Sequence, residues 1–332
     1  TLQQHKTMLQ HPEKQPALTT SYHSNGKLLL TGEYFVLEGA SALALPTQKG
    51  QTLTVNPLSG IEKPVIDWQS FTPDGQCWFS ASFSFPQFEP FNVMAQQEQT
   101  ARKLQHILQE VRRLNPRFLE NELPLQVQTH LEFHSNWGLG SSSTLINNIA
   151  QWAQADAYQL QFATFGGSGY DIACAMHNTP LLYRKWGTMP HVQPVNFYPP
   201  FSDCMYFVYL GQKQNSRQGI QHFYRHANNR RAWYIQQIEC IMQAVVEGTT
   251  LPQFETLLNR HEQLVSEALN LPMVKPTFFA GYWGAVKSLG AWGGDFVLAC
   301  SAKSPTETHK YFSEKGFTTV IPYAQMIKPR PV

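Results

Sequence analysis

The stretch Trp137-Gly-Leu-Gly-Ser-Ser-Ser143 constrains the fold of this chain more than any other. Upstream, Leu125, Val127, Leu131 and Phe133 fall on alternate positions, as in a half-buried strand; downstream, Leu145, Ile149, Trp152 and Ala153 recur at helical spacing. The segment is therefore a strand-to-helix turn. Two glycines let the backbone approach a ligand closely and three hydroxyls follow. The unpaired N–H groups and the positive dipole end of the new helix face the same place. That combination cradles a phosphate or a similar anion. Read alone, the same letters also describe a helix start that Ser141 caps. The rest of the chain has to decide between the two.

At 332 residues, 42% of them hydrophobic and 13% aromatic, the chain is long and apolar enough for two globular domains. The expected division is a loose, Gln- and His-rich arm over 1–20, a first domain over 21–189 that carries the glycine-serine turn, and a second domain over 190–332. Lys and Arg total 25 against 23 Asp and Glu, a net charge of +2 with no basic run, which argues against a nucleic-acid partner. The five cysteines are scattered and free of C-x-x-C spacing. Neither a disulfide framework nor a thiolate zinc site is expected, and a reducing cytoplasm fits best. No apolar run approaches the ~20 residues that span a bilayer, so no membrane association is expected.

In chain order, Lys27-Leu-Leu-Leu-Thr31 reads as a short buried strand running into Gly32-Glu-Tyr34. Lys27 and Glu33 then lie at a sheet edge, where groups are presented to ligands, although read alone they also describe a surface lysine and a helix-start glutamate. Short strand-like pieces occupy 51–88, and Ala101, Leu104, Leu108, Val111 and Leu114 mark an amphipathic helix that stops before Pro116. His130, Glu132 and His134 share one strand face but lack a further ligand, and are expected to be solvated surface. A second glycine-rich segment, Phe165-Gly-Gly-Ser-Gly-Tyr-Asp-Ile-Ala-Cys-Ala175, puts Asp171 at the lip of a loop that can wrap closely around a ligand. Asp171 is a candidate general base, or alternatively a helix cap. No G-x-x-x-x-G-K-[ST] and no G-x-G-x-x-G after a strand is present, and Tyr170 breaks the G-x-S-x-G spelling of a hydrolase elbow.

The proline-rich stretch 190–200 is expected to be a linker. A strand over 205–210 then leads into the polar loop 211–219, where Lys213 and Arg217 are candidate anion partners. Helices are expected over 220–246, 253–269 and 278–289, followed by Gly290-Ala-Trp-Gly-Gly-Asp295, a strand over 296–300, a helix over 307–313 and a strand over 318–321.

Three of these segments together resemble the GHMP kinase superfamily. Gly26-Lys-Leu-Leu-Leu-Thr-Gly-Glu-Tyr34 is similar to its first motif, Gly138-Leu-Gly-Ser-Ser142 matches its second almost letter for letter, and Gly290 to Asp295 before a strand resembles its third. Gly167-Ser-Gly-Tyr-Asp171 is similar to the segment that bears the catalytic Asp in the mevalonate and phosphomevalonate kinase branch. The Gly-Tyr-Asp-Ile-Ala spelling resembles a bacterial subgroup of it.

The resemblance implies an α+β, two-domain fold, with an N-terminal domain like ribosomal protein S5 domain 2 and a C-terminal ferredoxin-like domain. It implies an ATP- and Mg²⁺-dependent kinase acting on a small hydroxy acid, mevalonate first. The alternatives are a phosphomevalonate kinase, with Arg184, Lys185, Lys213 and Arg217 as extra cations, or an inactive ATP-binding relative. Lys27 and Asp171 would be catalytic. Gly138, Leu139, Gly140, Ser141, Ser142 and Ser143 would bind ATP, with Ser142 on the metal. Glu33, Tyr34, Lys213, Ser216 and Arg217 would face the acceptor. Homodimerisation is left open. The chain departs from the pattern at Asn25, at Asn136-Trp137, at Asp295 within the third glycine run, and at Leu160, where mevalonate kinases carry a metal-binding Glu. Asp156, Gln159 and Gln161 are the nearest polar residues.

Overall fold

The computed structural model describes residues 18–60, 63–212, 216–226, 230–290, 292 and 294–331. Two sheets organise it. The first is built from β1 (Thr20–Thr31), β2 (Ala42–Pro57), β3 (Val65–Phe71), β4 (Cys77–Ser84), β5 (Glu89–Phe91), β6 (Leu125–Leu131), β7 (Leu181–Trp186) and β8 (Met189–Pro194). Its spatial order is β5-β4-β3-β6-β2-β7-β8, with β1 paired to β2. All pairings are antiparallel except β3 with β6. Four helices pack on it: α1 (Glu98–Leu114), α2 (Ser141–Ala153), α3 (Ala157–Thr164) and α4 (Tyr170–Met176). Ile107, Leu108, Ile146, Ile149, Leu160 and Ile172 from these helices bury against Val55, Trp68, Phe83 and Val127 of the sheet. The period-two and helical patterns of the sequence meet there as one core.

The second sheet contains β9 (Met205–Tyr209), β10 (Val286–Leu289), β11 (Phe296–Cys300) and β12 (Val320–Pro322), ordered β10-β11-β9-β12 and antiparallel throughout. Around it lie α5 (Ser216–His226), α6 (Arg231–Glu247), α7 (Leu251–Leu269), α8 (Val274–Phe278), α9 (Pro305–Glu314) and α10 (Tyr323–Met326). Capping boxes at Thr250 and Ser304, each followed by a proline in the first turn, start α7 and α9. One apolar cluster joins the two sheets: Phe35, Leu43, Leu45 and Phe133 from the first pack with Phe207, Phe223, Leu258 and Phe296 from the second. The chain end also returns to the first sheet. Thr47 and Ile327 form an antiparallel bridge, Lys328 N–H donates to Pro46 O at 3.1 Å, and Gln48 Nε2 donates to Ile327 O at 3.0 Å.

Three expectations need correction. The span 278–289 is not a helix: α8 ends at Phe278 and β10 begins at Val286, with Gly281 and Gly284 between them. A Cβ on Gly284 would lie 2.0 Å from Cys300 O, so the backbone there is pressed against β11. The expected single helix over 220–246 is divided between α5 and α6, and α5 already begins at Ser216, inside what was expected to be a polar loop. The proline-rich stretch begins as β8, at the sheet edge, where Pro190 and Pro194 cost few ladder hydrogen bonds.

Candidate active site

Lys27, Ser142, Tyr170 and Asp171 line one cavity of about 270 Å³ together with Glu33, Tyr34 and Asp295. Each is delivered by a different local device. Lys27 follows a break in the β1–β2 register between Asn25 and Lys27, and its own N–H donates to Leu139 O at 3.0 Å. The first strand is thereby tied to the glycine-serine turn. A Cβ on Gly140 would sit 3.0 Å from Lys27 Cγ, so the lysine stem runs along that glycine. Gly138 and Gly140 have φ values of 67° and 89°, the left-handed region that other residues enter at a cost. Helix α2 starts at Ser141 directly after Gly140, and Gly140 makes no side-chain cap. The first turn's N–H groups are therefore left for a ligand.

The six residues of the turn play unequal parts. Leu139 is fully buried and anchors the loop from below. Ser142 is exposed to the cavity, whereas Ser143 is buried and its Oγ donates to Gly140 O at 2.9 Å. Asp171 lies in the first turn of α4, behind Gly169 at φ 94°, and its Oδ1 accepts from the Ile172 N–H at 3.2 Å. Asp171 is thus a residue of the helix and not its cap.

Lys27 Nζ lies 5.4 Å from the Tyr170 ring centroid. Burial pulls its pKa down, but the hydrogen-bonded Tyr170 hydroxyl and the Asp171 and Asp295 carboxylates outweigh that, so the ammonium is held above its ordinary value. Burial raises Asp171, opposed by Lys27. A carboxylate so raised is a better proton acceptor than an exposed aspartate once ionised, and the neighbouring ammonium opposes the rise. Tyr170 was not picked out from the sequence, although it stands directly before Asp171 in the same segment.

Glu33 and Tyr34 border the cavity but are engaged with the second half of the chain. Glu33 is 4% exposed; its Oε1 takes an ion pair from Lys287 Nζ on β10, and its Oε2 lies 3.3 Å from His261 Nε2 on α7. That imidazole nitrogen already accepts the Gly32 N–H at 3.1 Å, while His261 Nδ1 and Glu33 Oε2 have no hydrogen-bond partner. Glu262 completes the group, accepting from Ser288 N–H at 3.1 Å and Ser288 Oγ at 2.9 Å. Burial pushes Glu33 up to about 7 against the pull of Lys287. Burial, aided by the Lys287 charge, drives His261 well below its ordinary value. Tyr34, at φ 61°, accepts the Trp292 N–H at 2.8 Å and stacks on Phe223 with centroids 5.7 Å apart. None of these partners is close in sequence.

Lys213 lies outside the described residues, and Ser216 and Arg217 open α5. The helix continues over the cavity through Ile220. Arg184 pairs with Glu239 at 3.7 Å, and Lys185 donates to Gly167 O at 3.3 Å. Gln161 lines the cavity and donates to Gly166 O at 2.9 Å. Among the described residues no group of three or more His, Cys, Asp or Glu is placed to hold a metal ion, and none of the helices is long and apolar enough to cross a membrane. The expected strand face over 130–134 is cut short, because β6 ends at Leu131; Glu132, just beyond it, accepts the Gly50 N–H at 2.7 Å and faces His23 at 3.5 Å.

No family model and no curated protein matches this sequence. Solved structures do match. The mevalonate kinase of Methanococcus jannaschii superposes with a TM-score of 0.67 at 13% identity, covering 94% of this chain and 99% of that one. Streptococcus pneumoniae phosphomevalonate kinase, in complex with phosphomevalonate and AMPPNP, gives 0.63 at 15% identity over 91% and 99%. Lactococcus lactis galactokinase, complexed with galactose, gives 0.62 at 12% identity over 94% and 95%. With its glycine turn, its two sheets and these neighbours over nearly its whole length, the chain has the α+β fold of the GHMP kinase superfamily.

Proposed function

We propose that this chain is an ATP-dependent kinase that transfers the γ-phosphoryl group to a hydroxyl of a small acid, with mevalonate as the first acceptor. The observation that carries the reading is the convergence of Lys27, Ser142 and Asp171 on the cavity beside the glycine-serine turn. The free N–H groups of the first α2 turn, with Gly138 and Gly140, receive the triphosphate. Lys27 neutralises charge on the transferred phosphoryl group, and Tyr170 holds the ammonium in place. Asp171 accepts or orients the acceptor hydroxyl proton.

The donor set fits a magnesium ion in part, because Ser142 and Asp171 face the same cavity and Mg²⁺ usually keeps several waters and takes few protein ligands. Such an ion would supply charge neutralisation to the phosphates during transfer. Leu29, Val36, Leu37, Phe165 and Ile220 line the rest of the space, which suits an acceptor with a hydrocarbon portion. Lys27 is the only cation among the described lining residues; Arg184 pairs with Glu239, and Lys185 donates to the carbonyl of Gly167, which lines the cavity.

The test is ADP release with Mg²⁺-ATP and mevalonate, phosphomevalonate, galactose or homoserine. Turnover on mevalonate, lowered ~10²- to 10⁴-fold by Asp171→Asn, is expected. Turnover on another acceptor would reassign the substrate, and failure to bind ATP would remove the kinase reading.

A further inference from the structure

Three successive carbonyls of the glycine-rich loop 166–169 are each taken by a side chain. Gly166 O accepts from Gln161 Nε2 at 2.9 Å, Gly167 O from Lys185 Nζ at 3.3 Å, and Ser168 O from the hydroxyl of the fully buried Tyr183. These peptides are trans and planar, so the N–H that follows each carbonyl points the opposite way. The N–H groups concerned are those of Gly167, Ser168 and Gly169, and none of them bonds to a described residue. Ser168 and Gly169 are buried, where an unbonded backbone N–H is rare.

Gly166, Gly167 and Ser168 border the cavity, and the loop glycines 166, 167 and 169 have φ values of 71°, 92° and 94°. Successive N–H groups in a backbone of this kind form a concave seat for an anion. The Ser168 hydroxyl adds a donor: the residue is 6% exposed and lines the cavity, and its hydrogen bond to Tyr183 uses the carbonyl and leaves Oγ unused. Of the three clamping side chains Lys185 is the unexpected one. It is half-buried on β7, does not line the cavity, and forms no ion pair with a described residue. Its ammonium ends instead on the Gly167 carbonyl, with Nζ 4.5 Å from the centroid of the Phe162 ring. A cation held there draws that carbonyl outward and so turns the Ser168 N–H inward.

We propose that Lys185 is a positioning residue for the acceptor: it holds the Gly167 carbonyl out of the cavity, so that the N–H groups of Gly167, Ser168 and Gly169 receive the acceptor's carboxylate. The inference rests on the kinase reading above and concerns how the acid end of the acceptor is held. Lys185 then acts on the acceptor through the backbone, without touching it.

The test uses the full chain labelled with ¹⁵N-glycine, titrated with mevalonate, with its uncharged lactone and with Mg²⁺-ATP. Mevalonate should move the amide protons of Gly167 and Gly169 downfield, and the lactone, which lacks the carboxylate, should not. In Lys185→Met the mevalonate shifts should shrink and KM for mevalonate should rise ~10-fold or more, while kcat and KM for ATP change less than ~3-fold. Lys185→Arg, which keeps a cation on the carbonyl, should restore KM to within ~3-fold of the wild type. Mevalonate that leaves Gly167 and Gly169 unmoved, or a Lys185→Met variant that loses kcat at unchanged KM, overturns the inference. If Mg²⁺-ATP still shifts Gly138 and Gly140, the kinase reading stands; if it shifts neither and mevalonate shifts nothing, both fall.

Discussion

Two lysines of this molecule, one lining the cavity and one buried, have nearly the same company and opposite fates. Lys27 faces two carboxylates, Asp171 and Asp295, and one polar aromatic group, Tyr170. Lys287 acts on two carboxylates, Glu33 and Glu262, and one imidazole, His261. The difference is space. Lys287 is 1% exposed, and its ammonium is used up by Glu33 and by Ser288 O at 2.8 Å. Its surplus negative charge is relieved internally, by a Glu33 that holds its proton up to about pH 7. Lys27 borders an open cavity, so its surroundings can be completed by a ligand. The same charges make a joint where they are sealed and a site where they are left open.

If that comparison holds, substitutions at the two lysines should fail in different assays. Lys27→Met is expected to lower turnover by ~10³-fold or more while the melting temperature hardly moves. A large loss of stability instead would make Lys27 another structural ion. Lys287→Met should do the opposite: it leaves two carboxylates buried without their cation, at a cost of about 3–5 kcal/mol measured by urea unfolding. A cost below about 1 kcal/mol would show that the cluster is not a joint.

The smallest effect is a pH dependence. The pKa of Glu33 is raised in the folded chain from 4.5 to about 7, so the folded state binds the proton more tightly than the unfolded one. The stability from that proton is full below about 4.5 and is lost as pH rises to about 7, on the order of 3 kcal/mol in all. His261 has its folded pKa lowered, and its contribution runs the other way, being lost as pH falls below its ordinary value of 6.5. The difference between wild type and Glu33→Gln isolates the first effect. The glutamine variant, which imitates the protonated acid, should gain on the wild type between pH 5 and 7.5 in denaturant titrations. Parallel profiles would mean that Glu33 stays ionised.

The parts of the site that were legible in the sequence are those whose signal is local. The turn at Gly138–Ser142 has two left-handed glycines and a helix start in succession a short loop after β6, and Asp171 is the second residue of α4. β11 was also legible, as an apolar run bounded by turn residues. β10 was not, because Val286, Lys287, Ser288 and Leu289 are all buried and offer no alternation, and short apolar runs are shared by helices and strands. The partners of Glu33 were hidden for another reason. A glutamate beside a glycine motif looks like a ligand group, yet its carboxylate is paired with a lysine and lies against a histidine, both from distant elements. The contact of Asp295 with Gly138 is equally non-local, so the sequence showed only that a glycine run was interrupted.

The return of the chain end to β2 bears on how the molecule can move. The two sheets are connected through residues 195–204 and held again where Ile327 and Lys328 bond to Thr47 and Pro46. Between those two ties the Glu33–Lys287 ion pair, the Trp292–Tyr34 hydrogen bond and the shared apolar cluster also hold the halves together, so the second sheet has no free hinge line on the first. The wall that Asp295 contributes to the cavity is thereby fixed against Gly138 from several separated points of the fold.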